Sequence, residues 1–110
     1  MKDAGHMEQI AFTMQLKPGC ETQYRMRHDA LWPELAELLR AAGVRDYSIF
    51  LEPASGKLFA VLRRTRDHGM EQLPAHPVMR RWWDTMADLM ETAPDNTPVS
   101  HALTPMFHLP

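Results

Sequence analysis

The order in which the hydrophobic period changes along the chain is its strongest constraint on fold. From Glu8 to Leu16, "EQIAFTMQL" alternates, with Ile10, Phe12, Met14 and Leu16 on one side and Ala11, Thr13 and Gln15 on the other. That pattern predicts a strand with one strongly apolar face. After the turn "KPGCE" the period becomes helical from about Glu21 to Ala42, and Gly43 stands where a helix end favours glycine. Pro33 lacks an amide hydrogen and pushes Trp32 out of the helical region, so a kink or a break into two short helices is expected near Trp32. "VRDYSIFL", Val44 to Leu51, returns to period two, setting Tyr47, Ile49 and Leu51 against Ser48 and Phe50. The turn "EPASGK" joins it to "LFAVLRR" as a hairpin. Pro77 opens a second helix, expected to run through "VMRRWWDTMADLMET" toward Pro94. "PDNTPVS" reads as a loop, and "HALTPMFHL" as a last strand that Pro105 marks as an edge or an interrupted one.

The resulting order, βαββαβ, is the split βαβ pattern of an α+β ferredoxin-like sandwich, of the dimeric α/β-barrel type. Two helices on one face of such a sheet leave the other face bare. Its apolar side chains are most simply covered by a second copy, so a homodimer is expected. The chain has 110 residues, enough for one core. Residues 7–110 are read as a single ferredoxin-like domain, and the aperiodic residues 1–6 as an expression remnant or disordered tail.

Charge and composition narrow the function. A formal net charge of −2 with interspersed signs offers no footprint for nucleic acid or an anionic membrane, and a small, weakly charged ligand fits better. No apolar run approaches the roughly 18 residues of a membrane span, and the N-terminus lacks a signal-peptide pattern, so a cytoplasmic location is expected. Cys20 is the single cysteine, which excludes an intrachain disulfide and a thiolate cluster. His6, His68, His76, His101 and His108 show no metal-ligand spacing, and no glycine-rich phosphate loop is present. Neither a metal nor a cofactor is expected.

Two features depart from plain core packing. With about 100° per residue and Tyr24 as origin, His28 falls near about 40°, inside the stripe formed by Leu31, Leu35 and Leu38. An imidazole and a phenol one turn apart on an apolar stripe point to a polar-lined pocket at that end of the helix. Asp29 points about 100° away from His28 and makes a poor orienting partner for it. The second feature is "RRWWD". With Met79 as origin, Trp83 falls near about 40° and Trp82 near about −60°, which assigns Trp83 to the core stripe and Trp82 to its shoulder. Adjacent indoles cannot both point into one small core, so at least one should border a cavity or interface. A sugar face or a flat aromatic would suit it.

The stretches "AFTMQLKPG", "YRMRHDALWPEL", "YSIFL", "RWWDTMADLM" and "PDNTPVS", with a terminal "FHLP", resemble the L-rhamnose mutarotases in order and spacing over nearly the whole chain after Met7. Met26 and His108 depart from that pattern, which expects a basic residue and an aromatic there. The resemblance implies a ferredoxin-like subunit that dimerises, works without a metal and interconverts the anomers of L-rhamnose. It further implies that His28 is the catalytic proton donor and that Tyr24, Tyr47, Trp82 and Trp83 contact the sugar. Imidazole suits this chemistry because both its protonation states exist near neutrality. Competing readings from the same fold are a cofactor-independent monooxygenase acting on a flat aromatic and a non-enzymatic small-molecule binding module.

Overall fold

A computed structural model describes residues 7–110, so the reading of residues 1–6 as a remnant lies outside the described residues. Strand β1 (Glu8–Gln15) leads into helices α1 (Glu21–Asp29) and α2 (Pro33–Ala41). Strands β2 (Val44–Glu52) and β3 (Lys57–Arg64) form the hairpin, a 3-10 helix occupies Met70–Ala75, and α3 (Pro77–Met86) precedes a short β4 (His101–Ala102). The sheet has four antiparallel strands in the order β2-β3-β1-β4, the ferredoxin-like arrangement expected from the sequence.

The helical segment breaks where Pro33 dictates. Trp32 is extended, at φ −61° and ψ 129°, and Pro33 starts α2 at a position whose missing N–H costs no hydrogen bond. Gly43 follows α2 with a φ of 98°, and a Cβ there would run into Thr65 and His68. The inner face of the sheet follows the predicted alternation: Met14, Leu16, Leu58 and Ala60 join Tyr24, Leu35, Trp82 and Met86 in one core. Phe12, Ile49 and Leu51 pack at its edge.

Three boundaries differ from expectation. Helix α3 stops at Met86, because the following backbone pairs with the end of β1 and the residues just after it: Lys17 N donates to Leu89 O at 2.8 Å and Glu91 N donates to Gln15 O at 2.9 Å. The last strand is limited to His101–Ala102. Leu103 N still donates to Ala11 O at 2.9 Å, but the next donor in the ladder would be residue 105, a proline without an N–H. Between β3 and α3, where the polar sequence suggests a plain connection, the 3-10 helix forms and brings Leu73 into the core.

The outer face of the sheet presents Phe50 and Phe59, paired directly across β2 and β3 and 64% and 37% exposed. No helix among the described residues is long and apolar enough to cross a membrane.

Candidate active site

A cleft of about 1180 Å³ lies between the inner face of the sheet and the helices, and Tyr24, His28, Tyr47, Trp82 and Trp83 all line it. It exceeds the ~300–1,000 Å³ usual for small-ligand sites, so a single ring would occupy part of it. Three separate elements supply these side chains. Tyr24 and His28 come from α1, Tyr47 from β2, and the two indoles from α3.

On α1 the rings of Tyr24 and His28 stack at 4.4 Å between centroids and an interplanar angle of 32°. His28 Nδ1 lies 3.0 Å from Tyr24 O. A carbonyl only accepts, so Nδ1 carries a hydrogen and Nε2 is left as the nitrogen that gains or loses a proton. Burial lowers the His28 pKa, a shift partly opposed by the hydrogen bond to Tyr24 O and by the charge of Asp29. Asp29 therefore acts only as a minor field on the imidazole, consistent with its angular position.

Both phenols are held protonated. Burial raises the Tyr24 pKa above its ordinary value, and desolvation by the surrounding cleft raises that of Tyr47 to about 12 although 39% of that residue stays exposed. Each hydroxyl is thus a hydrogen-bond donor near neutral pH and not a base. Tyr47 lines the cleft on the face it shares with Ile49 and Leu51, as plain alternation expects, and a β-bulge begins just before it. Arg45 pairs with Arg63 and Ser48 with Val61, so Asp46 and Tyr47 together stand opposite Leu62. Val44 and Tyr47 have opposite parity in a regular strand, and the extra residue lets both face the helices. Asp46 absorbs the irregularity with a φ of 50°. The Tyr47 ring then lies 6.5 Å from Phe12.

The indoles exchange the places that the sequence assigned to them. Trp82 is 7% exposed and belongs to the core, whereas Trp83 is only partly buried at its edge. The cause is the early end of α3. A helix continued to Met90 would centre its stripe toward Trp83, but Met90 lies beyond the end of α3. The buried residues Met79, Trp82 and Met86 centre the stripe near about −30°, on the Trp82 side. Trp82 stands edge-on to His28 at 5.3 Å and 90°, and to Trp32 at 5.2 Å and 84°.

Contacts that sequence reasoning missed hold these pieces together. Arg27 Nη1 donates to Thr85 O at 2.7 Å and to Asp88 Oδ1 at 2.8 Å, while Nη2 reaches Asp88 Oδ2 at 3.3 Å. This fork ties α1, carrying the imidazole, to the end of α3, carrying the indoles. Trp32 backs Trp82, and the Arg81 guanidinium lies 5.9 Å from the Trp32 ring. Nothing in the local pattern marks Arg27, because Asp88 lies 61 residues away. Among the described residues no three histidine, cysteine or carboxylate groups come together to hold a metal.

A family model described as L-rhamnose mutarotase matches residues 9–109. The chain belongs to the L-rhamnose mutarotase family. It is 62% identical over 104 residues to the L-rhamnose mutarotase of Jannaschia sp., covering 94% of this chain and 100% of that one. A relative of the same name from Burkholderia orbicola is 62% identical over 103 residues, covering 94% and 99%. The crystal structure of an L-rhamnose mutarotase from Formosa agariphila superposes with a TM-score of 0.87 at 42% identity, covering 94% of this chain and 99% of that one. Family membership and fold therefore agree, and the cleft lies inside the region that the family shares.

Proposed function

We infer that this chain is an isomerase, an L-rhamnose mutarotase, and that His28 is its proton donor. One observation supports the assignment of His28 above the others. Its Nδ1 is engaged by the Tyr24 carbonyl, so the mobile proton sits on Nε2, in a cleft walled by rings. The family match over residues 9–109 favours this reading over an oxygenase or a binding module of the same fold.

In the proposed reaction the imidazolium Nε2 gives its proton to the ring oxygen as the anomeric hydroxyl loses its proton to water. The C1–O bond to the ring oxygen breaks and C1 becomes an aldehyde carbon. Rotation about C1–C2 presents the other face, and closure returns both protons to their sources. Because burial lowers the His28 pKa, its imidazolium is a stronger acid than free imidazole, though a smaller fraction carries the proton at neutral pH. Tyr24 and Tyr47, kept as phenols, donate hydrogen bonds to sugar hydroxyls. Trp82 and Trp83 offer apolar surface to the C–H face and methyl group of the 6-deoxy sugar. Water, and not Tyr24, takes the role of base.

A homodimer formed through the outer sheet face belongs to the same reading. Its support is the adjacent pair Phe50 and Phe59, aromatic side chains left facing outward by the chain's own helices. A cytoplasmic setting belongs to the same reading.

The test is saturation-transfer proton NMR on the anomeric signals of L-rhamnose. Wild-type protein should accelerate exchange, and His28→Ala should lose about 10²- to 10⁴-fold of that acceleration. No acceleration by wild type would overturn the activity. Full activity in His28→Ala would overturn only the role of His28.

A further inference from the structure

We propose that Arg80 is a positioning residue of the sugar site, holding Trp83 and the turn at residues 94–97 as one wall of the cleft. This rests on the reading of Trp83 as a sugar contact. The Arg80 guanidinium carbon lies 5.3 Å from the centroid of the Trp83 ring. Its nitrogens are also spent on the turn: Nη2 donates to Asp95 O at 2.8 Å, and Nη1 donates to Thr97 Oγ1 at 3.1 Å. Nη1 also reaches Pro74 O at 3.4 Å, and the Asp95 carboxylate lies 3.3 Å from Nη2.

The turn has its own stiffness. Ala93 N donates to Thr97 O at 2.8 Å, Thr97 N donates to Asp95 Oδ1 at 3.1 Å, and Asn96 adopts a φ of 69°. A second strap crosses one helical turn further on, where Asn96 Nδ2 donates to Asp84 Oδ1 at 3.0 Å. Arg80 and Asp84 thus pin the same turn to α3 on either side of Trp83. Thr97 and Pro98 line the cleft with Trp83, so the position of this wall depends on the straps. A planar guanidinium can stack on an indole and donate two directed hydrogen bonds at once, whereas an ammonium cannot do both in one geometry. With one indole face covered by the guanidinium, the sugar is offered the other.

The experiment measures kcat and KM for L-rhamnose by anomeric exchange NMR, with melting temperature, for wild type, Arg80→Met, Arg80→Lys and Trp83→Phe. Arg80→Met keeps the aliphatic stem and removes the fork. It is expected to raise KM roughly tenfold with kcat within about twofold, and Arg80→Lys to recover part of that loss through its retained charge. An unchanged KM in Arg80→Met beside a raised KM in Trp83→Phe overturns the role of Arg80 alone. An unchanged KM in both variants overturns the sugar-contact reading of Trp83 and the proposal with it. A lower melting temperature and lower kcat at unchanged KM would mark Arg80 as merely structural, and would likewise overturn the proposal.

Discussion

His28 stands perpendicular to Trp82, with ring centroids 5.3 Å apart, so the group that titrates in the cleft is held by the indole that is buried deepest beside it. The two side chains come from different helices and meet because α1 and α3 pack on the same sheet face. Stability and site geometry are therefore coupled at this pair.

Trp82→Ala should destabilise the fold by about 3–5 kcal/mol, the usual cost of deleting a large buried ring together with the cavity it leaves. Trp83→Ala, at the partly exposed neighbouring position, should cost clearly less. Urea unfolding followed by circular dichroism compares them, and equal losses would contradict the exchanged places of the two indoles.

The lowered pKa of His28 has a consequence for stability. The unfolded chain takes up the proton more readily than the folded one, so stability rises with pH across the interval between the two pKa values. This contribution is complete above the ordinary imidazole value of 6.5 and is lost as the pH falls through the lowered folded value. In His28→Gln, melting temperature should fall less steeply than in wild type on going from about pH 7 to about pH 5. Identical slopes would mean that His28 titrates alike in both states. Catalysis by the imidazolium runs the other way, with kcat/KM declining as the pH rises through the lowered value.

Asp46 holds the left-handed backbone of the bulge that sets Val44 and Tyr47 on the same face. Asp46→Val places a β-branched side chain at that φ and should cost about 1–3 kcal/mol, while Asp46→Gly relieves the strain and should be far milder. The Asp46–Arg63 contact, 3.8 Å long and exposed, adds little to either value. Thermal unfolding of the two variants checks the order. The valine variant should also raise KM through Tyr47.

Phe50 and Phe59 form an apolar pair on the outer sheet face, and Phe59→Asp should convert a dimer into a monomer with its far-UV circular dichroism unchanged. Size-exclusion chromatography with light scattering at micromolar concentration reads the mass. A wild-type monomer would remove the dimer from the proposal.

Much of this architecture is legible in one sequence because it depends on local periodicity and backbone chemistry. The alternation from Ile10 to Leu16 set Met14 and Leu16 on one shared apolar face, which the packed helices then made the core side, while Pro33 marked the break after α1 and Gly43 the end of α2. Tyr24 and His28 stood out because polar rings interrupted an otherwise aliphatic stripe. The sugar, by contrast, came from family likeness and not from any period.

The remainder needed the packed chain. Where α3 ends was decided by the chain at and just after the end of β1, where Lys17 and Gln15 claim Leu89 and Glu91 as hydrogen-bond partners, and that choice exchanged the roles of Trp82 and Trp83. Tyr47 shares the face of Ile49 and Leu51 by plain alternation, but the bulge that brings Val44 to the same side is visible only against β3. The clamps of Arg27 on Asp88 and of Arg80 on Thr97 join groups distant in sequence. By itself the sequence determined which segments are strands and helices and which faces are apolar, since side-chain period and proline chemistry act within a few residues. Only the tertiary structure decided where those elements stop and which rings meet across the cleft, because hydrogen bonds and burial between distant segments outweigh local preference there.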